Sequence, residues 1–156
     1  MITYNLSFAD TIRLHNDIKL NKTHVIMTNN THKERLNSLY KKFNLQPEDT
    51  FKEKSRGYTI ITRSGIDKIQ SIGNITIEYH PIVVEREFAV IKAVAMMGDK
   101  KIETFGEADR KLNCRQTYPI AMAEKRAMSR AVLKLSGFYS EQHFGEDEGD
   151  WSKSTL

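Results

Sequence analysis

The sequence has few of the residues that build disulfides, zinc sites and membrane spans. Cys114 is the one cysteine among 156 residues, so an intramolecular disulfide and a multi-cysteine zinc site are excluded, and a reducing compartment is the natural setting. No apolar run reaches the roughly 18 residues that a membrane-spanning helix needs. The start, MITYNLSFAD, lacks the basic end and apolar centre of a signal peptide. We therefore expect a cytoplasmic protein with no membrane partner.

Signatures of common catalytic sites are also missing. The sequence contains no GxxxxGK[ST] loop, HExxH helix or GxSxG elbow, the patterns that hold nucleotide phosphates, zinc or a nucleophilic serine. The five histidines are dispersed without metal-ligand spacing, and Cys114 has no identifiable base partner. We therefore predict that the protein is not an enzyme, uses no cofactor and holds no metal.

Charge is distributed unevenly along the chain. The formal net charge is +4, yet the segment from 141 to 150 carries five acids and neither lysine nor arginine. From Arg110 to Lys134, in contrast, Glu124 is the sole acid. A concentration of one sign bears on partners rather than on the fold, and here it predicts a polyanionic partner.

Short elements are predicted in the first half of the chain. Alternating apolar and polar residues over 11–20 predict a small β-hairpin. A capping box at 31–34 predicts the start of a first helix, which ends near Pro47. A polar connector is expected through 51–54, followed by a short strand over 58–61.

A short helix then follows, capped by Thr62 or Ser64 and closed by Gly73 in a left-handed conformation. Three strands come next, over 74–79, 87–97 and 100–105. The middle one is apolar on both faces, which predicts a central position in the sheet. Pro81 indicates an edge or a bend, and Gly98-Asp99 a tight hairpin turn.

A long amphipathic helix is predicted after the third strand. On a helical wheel its apolar residues share one arc: Ile120, Ala127, Met128, Ala131, Val132 and Leu135. Three cations at i, i+4 and i+8 share another: Arg126, Arg130 and Lys134. Such a stripe is commonly a solvated helix face, but an ordinary exposed helix mixes the two signs of charge. The excess of cations over acids on this helix favours phosphate binding.

The predicted architecture is therefore α+β. An antiparallel sheet of three to four strands, with a β-β-β-α core, packs against the long C-terminal helix and carries an N-terminal helical extension. The predicted segments are an extension that serves oligomerisation (1–55), the core (56–140) and an acidic tail (141–156). The tail has four open interpretations: a nucleic-acid mimic, a cover for the basic residues, a docking segment for a partner, or a solubilising terminus.

The second half resembles a known family. The resemblance is carried by Gly106-Glu107-Ala108, by the run YPIAMAEKRA (118–127), by SRAVLKL (129–135) and by the trailing acids. Together these resemble the single-strand annealing superfamily, which includes phage ERF proteins, RecT/Red-beta-type recombinases and the eukaryotic Rad-fifty-two proteins. The similarity covers about 56–150.

This resemblance implies ATP-independent binding and annealing of single-stranded DNA in homologous recombination and repair. It also implies a homo-oligomeric ring or filament with a basic groove, in a bacterial cell or phage-infected host, with a single-strand-binding protein or an exonuclease as further partners. The alternatives are a general single-stranded nucleic-acid-binding module without annealing activity and a structural oligomerising protein.

The candidate DNA-binding residues follow from the cation stripe and the resemblance together. Arg126, Arg130 and Lys134 are the first candidates for phosphate contacts. The second group is Arg110, Lys111, Arg115 and Lys125. Tyr118 is a candidate for stacking on a base, and Lys92 is the last candidate for DNA binding.

Overall fold

The computed structural model describes residues 31–148. The chain divides into two compact units, Met1–Asn37 and Ser38–Leu156, and the second contains every strand of the described residues. A first helix, α1, runs through residues 31–42, where the capping box predicted a helix. The hairpin predicted over 11–20 lies outside the described residues.

Two three-stranded sheets and a long helix form an α+β fold, as the sequence predicted. The elements after α1 are β1 (Thr50–Lys52), β2 (Thr59–Ile61), α2 (Arg63–Ile72), β3 (Thr76–Val84), β4 (Phe88–Met97), β5 (Lys100–Asp109), α3 (Pro119–Ser136) and β6 (His143–Gly145). The main sheet is antiparallel with the order β3-β4-β5, and the small sheet has the order β1-β2-β6. Within residues 31–148, no helix is both long and apolar enough to cross a membrane.

The small sheet was predicted only in part: the short strand expected over 58–61 is β2, whereas β1 and β6 were not predicted. Residues 51–54, expected to be a polar connector, contribute most of β1, and the expected acidic tail contributes β6. β2 pairs antiparallel with β1 and parallel with β6. Strand pairing therefore bridges both predicted segment boundaries, at 55/56 and at 140/141.

β4 is the central strand of the main sheet, as predicted. Alternate side chains point to opposite faces of a strand, and those on the α3 side are buried: Ala89, Ile91, Ala93 and Ala95. The hairpin to β5 turns at Gly98, whose φ of 57° is left-handed. β3 is an edge strand with a register shift between Pro81 and Val83, which agrees with the prediction drawn from Pro81.

The caps of α2 differ in part from the prediction. The Thr62 hydroxyl accepts a hydrogen bond from the Gly65 backbone N–H at 3.3 Å, so Thr62 is the N-terminal cap. Gly73 has a φ of −76°, so its predicted left-handed conformation is wrong. Asn74, with a φ of 48°, takes that place instead, because the short asparagine side chain tolerates the left-handed region.

The pair formed by the half-buried Tyr40 and the buried His143 holds β6 against the end of α1. The Tyr40 hydroxyl lies 3.0 Å from His143 Nε2, and His143 Nδ1 lies 2.8 Å from the carbonyl oxygen of Glu141. Because a carbonyl only accepts, Nδ1 is the donor to Glu141. The Phe43 and Phe138 rings pack beside this pair, with their ring centres 5.8 Å apart.

α3 lies directly on β5 because Gly106 has no side chain. A Cβ at Gly106 would lie 1.9 Å from the Ala123 carbonyl oxygen and 2.5 Å from the Ala127 nitrogen. Two residues earlier on the same face, the Thr104 hydroxyl donates to the Ala127 carbonyl at 2.8 Å. Backbone of the helix and backbone of the strand are therefore in contact.

We expect the Gly106→Ala variant to be destabilised by about 3 kcal/mol or more, since overpacking against backbone cannot be relieved by a rotamer change. Thermal or urea denaturation followed by circular dichroism measures the loss. Glu107→Ala, one residue further on the exposed face, is the matched control. Equal melting temperatures for the Gly106→Ala variant and the unaltered protein would contradict this packing.

Candidate nucleic-acid interface

A basic cleft of about 420 Å³ opens along the outer edge of β5. Its walls are β5, the β5–α3 linker, the middle of α3 and the end of the 3-10 turn Glu146–Glu148. Five cations and two carboxylates line it: Arg110, Lys111, Arg115, Arg126, Arg130, Glu107 and Glu148. The fold therefore brings five of the nine candidate DNA-binding residues together in one place.

A hydrogen-bonded turn at Asp109 builds the outer lip of the cleft. The Asp109 carbonyl oxygen accepts the backbone N–H groups of Leu112, Asn113 and Cys114 at 3.2, 2.9 and 2.8 Å. Its carboxylate accepts the N–H of Lys111 at 2.7 Å, and Cys114 is buried below the turn. The lip is therefore a defined structure rather than an open connector.

The lip presents its cations to solvent. Arg110, Lys111 and Arg115 are exposed, and the Lys111 ammonium lies 3.7 Å from a carboxylate oxygen of Glu87. Leu112 is 84% exposed between them. This combination of exposed cations around an apolar side chain can contact both the phosphates and the bases of a strand.

Arg126 does not lie on an exposed stripe with Lys134. The residue is 5% exposed, and its guanidinium donates four hydrogen bonds. The acceptors are the Glu107 carbonyl (2.6 Å), the Asn113 side chain (2.9 Å), the Asn113 carbonyl (2.6 Å) and the Asp147 carbonyl (2.9 Å). A helical wheel shows which residues share the polar face of a helix. It does not show whether other segments of the chain cover that face.

Arg130 lies one turn further along α3 at the inner end of the cleft. Its Nη1 donates to the carbonyl oxygen of Phe105 at 2.5 Å, and its Nε donates to Glu148 Oε2 at 3.1 Å. The Arg130 side chain is 30% exposed, whereas that of Glu148 is 5% exposed. Arg130 thus combines a structural contact to the β5 edge with a partly open guanidinium.

Arg126 and Arg130 supply hydrogen-bond donors to the outer edge of β5. Phe105 and Glu107 point their carbonyl groups away from β4, along an edge that would otherwise lack partners. Arg130 and Arg126 donate to these two carbonyls. Arg126 and Arg130 are therefore hydrogen-bond donors to the backbone of β5.

The acids of the 3-10 turn Glu146–Glu148, here called the C-terminal turn, lie against Arg63 and Arg130. Glu146 accepts the backbone N–H of Arg63 at 3.3 Å, and Asp147 Oδ2 lies 3.5 Å from the Arg63 guanidinium. Burial raises the pKa of Glu148, while the Gly145 N–H and the Arg130 guanidinium partly offset that rise. The described part of the acidic segment is thus folded onto basic side chains.

The other four candidates lie away from the cleft lining. Lys134 is exposed, with its ammonium 5.2 Å from the centre of the Tyr139 ring, and Lys125 is half-buried. Tyr118 precedes α3 and is 51% exposed. Lys92 projects from the face of the main sheet opposite α3, where it lies 3.5 Å from Glu103.

The helix also departs from the predicted apolar arc at its start, because Ile120 is 44% exposed. Ile120 and Tyr118 therefore place apolar and aromatic surface at the N-terminal end of the helix.

Two residues around the site, Asn113 and Arg63, were missed by the sequence analysis. Asn113 contributes two of the four acceptors for Arg126, and the Arg63 guanidinium on α2 lies 3.5 Å from the Asp147 carboxylate. Glu148, which pairs with Arg130, belongs to the acidic segment for which covering of the basic residues was one of the open interpretations. A polar residue inside a basic linker carries no local signal of this role, since its partners are distant in sequence.

No protein-family model, curated protein or solved structure matches the chain. Across residues 31–148, no group of three or more His, Cys, Asp or Glu side chains is arranged to hold a metal ion.

We expect Arg126→Lys to lower the free energy of unfolding by about 3 kcal/mol. An ammonium cannot reach four acceptors on two sides, and each buried acceptor left without a donor costs about 1–3 kcal/mol. Urea denaturation measures the change. Lys134→Gln removes a cation from the same helix without breaking such a network, so its stability should stay within about 0.5 kcal/mol of the unaltered protein. Equal losses in both variants would show that Arg126 is not a structural centre.

Proposed function

We propose that this protein binds single-stranded DNA and anneals complementary strands without ATP. The observation that carries the proposal is the basic cleft, in which five cations face two carboxylates along one edge of the main sheet. Strand phosphates neutralise such a surface and release their counterions, which gives binding that is independent of sequence and sensitive to salt. The resemblance to the single-strand annealing superfamily agrees with this use of the cleft.

The cations of the cleft divide into two groups with different tasks. Arg126 is fully engaged by backbone and Asn113, so it shapes the cleft without binding a phosphate. The exposed cations Lys111 and Arg115, with Arg110, are the phosphate contacts of the outer lip. Arg130 is the phosphate contact at the inner end of the cleft. This assignment replaces the stripe along α3 by a path that crosses from the linker to the helix.

Exposed apolar groups beside the cations favour a single strand over a duplex. Leu112, Tyr118 and Ile120 are 84%, 51% and 44% exposed around the linker. Bases are accessible to such groups only when they are unpaired, and an aromatic contact contributes about 1–3 kcal/mol per base. Annealing itself requires that two polyanions approach, and cations along one strand lower that repulsion.

Assembly of several copies belongs to the same proposal. The main-sheet face opposite α3 leaves Met96 and Phe105 about half exposed, at 46% and 50%. Charges of both signs surround these residues, among them the pair formed by Lys92 and Glu103. An apolar centre with complementary charges suits contact between copies. A ring or filament would extend the cleft of one copy into a groove long enough for a strand.

We expect the protein to accelerate annealing of two complementary labelled oligonucleotides in the absence of nucleotide. Fluorescence energy transfer between labels on the two strands follows the reaction. An annealing rate equal to the spontaneous rate, together with measurable strand binding, would favour the general single-strand-binding alternative. Normal oligomers without any strand binding would favour the structural alternative.

We expect the double variant Lys111→Ala/Arg115→Ala to flatten the salt dependence of strand binding. Each phosphate contact contributes about 0.7 to the slope of log K against log salt for single strands, so two lost contacts lower it by about 1.4. Anisotropy titrations at several salt concentrations measure the slope. Lys41→Ala/Lys42→Ala removes two exposed cations from α1 and serves as the control of equal charge. Identical slopes for the two variants would exclude the outer lip as the contact.

A further inference from the structure

The carboxylate of Glu148 occupies the inner end of the basic cleft. Its Oε2 accepts from Arg130 Nε at 3.1 Å, and its Oε1 accepts from the Gly145 backbone N–H at 2.9 Å. The side chain is 5% exposed although it lines the cleft. A negatively charged group of the chain itself thus lies at the point where cations and backbone donors converge.

The donors around this carboxylate are those that a phosphate oxygen requires. A guanidinium and a backbone N–H bind carboxylate and phosphate in similar geometry, and both bonds are strengthened by charge. We propose that the position of the Glu148 carboxylate is a phosphate subsite, and that the free protein fills it with its own side chain. A backbone phosphate of the bound strand displaces the carboxylate there. This inference rests on the proposed function and names the group that competes with DNA.

The surroundings hold the donors in place when the carboxylate leaves. Arg130 Nη1 stays bonded to the Phe105 carbonyl, so the guanidinium keeps its direction. The turn that carries Glu148 stays attached through the Asp147 carbonyl, which accepts from Arg126 at 2.9 Å. The exchange therefore requires rotation of one side chain rather than unfolding of the turn.

The competition predicts that Glu148 weakens strand binding. In Glu148→Gln the side chain keeps its length, and its amide oxygen still accepts from Gly145, but the negative charge next to Arg130 is gone. We expect a labelled single-stranded oligonucleotide to bind this variant about tenfold more tightly at fixed salt. One more cation is then available to a phosphate, so the salt slope should become steeper by about 0.7. Anisotropy titrations of the full chain measure both quantities.

A matched control separates this subsite from a general gain of positive charge. Glu48→Gln removes one exposed carboxylate from the turn before β1, away from the cleft lining. The subsite predicts little change in affinity for this variant. An equal gain for Glu48→Gln and Glu148→Gln would overturn the proposal, because net charge alone would then explain the effect.

The double variant Glu148→Gln/Arg130→Gln completes the test. The gain of Glu148→Gln should disappear in it, since the cation released by that substitution is absent. Persistence of the gain would overturn the subsite. Strand binding by the unaltered protein with an unchanged affinity for Glu148→Gln would overturn this inference and leave the proposed function intact. Absence of strand binding in the unaltered protein and in every variant would overturn both.

Discussion

The guanidinium of Arg126 joins the end of β5, the linker that follows it and the distant C-terminal turn. It donates to β5 at Glu107, to the linker at Asn113 and to the C-terminal turn at Asp147. Its planar group offers five N–H donors in a fixed fork, which suits acceptors on several sides. Because the Arg126 backbone belongs to α3, one side chain fixes the linker and the turn relative to the helix. The walls of the basic cleft depend on that arrangement.

The sequence predicted the parts of this fold that arise from local periodicity. β4 is central because both of its faces are apolar, and α3 follows β5 with its apolar side on the sheet, as expected. The pairing of β2 with β6 could not be predicted, because strands of three residues give no period and their partners are more than 80 positions apart. The side-chain pair of Tyr40 and His143 stabilises that long-range contact.

The candidate site shows the same division between local pattern and distant partners. Charge bias alone located the basic segment, and the residues of the linker lie at the cleft as a group. Spacing on a helix could not distinguish Arg126 from Arg130 or Lys134, since all three share one arc. Their difference arises from Asn113 and Glu148, which approach from outside the helix. Burial of a cation is thus decided by segments that the helical pattern does not include.

Glu148 bears on both the stability of the cleft and the proposed binding of a strand. Several cations held close together repel one another, so a cleft without an internal acid would lower the stability of the folded chain. A carboxylate beside Arg130 reduces that repulsion and satisfies a half-buried guanidinium, whose burial without a partner would be costly. In the proposed function the same carboxylate competes with an incoming phosphate. Under that proposal, the acid that stabilises the cleft also limits its affinity for a strand, so strong binding requires many repeated contacts along the strand.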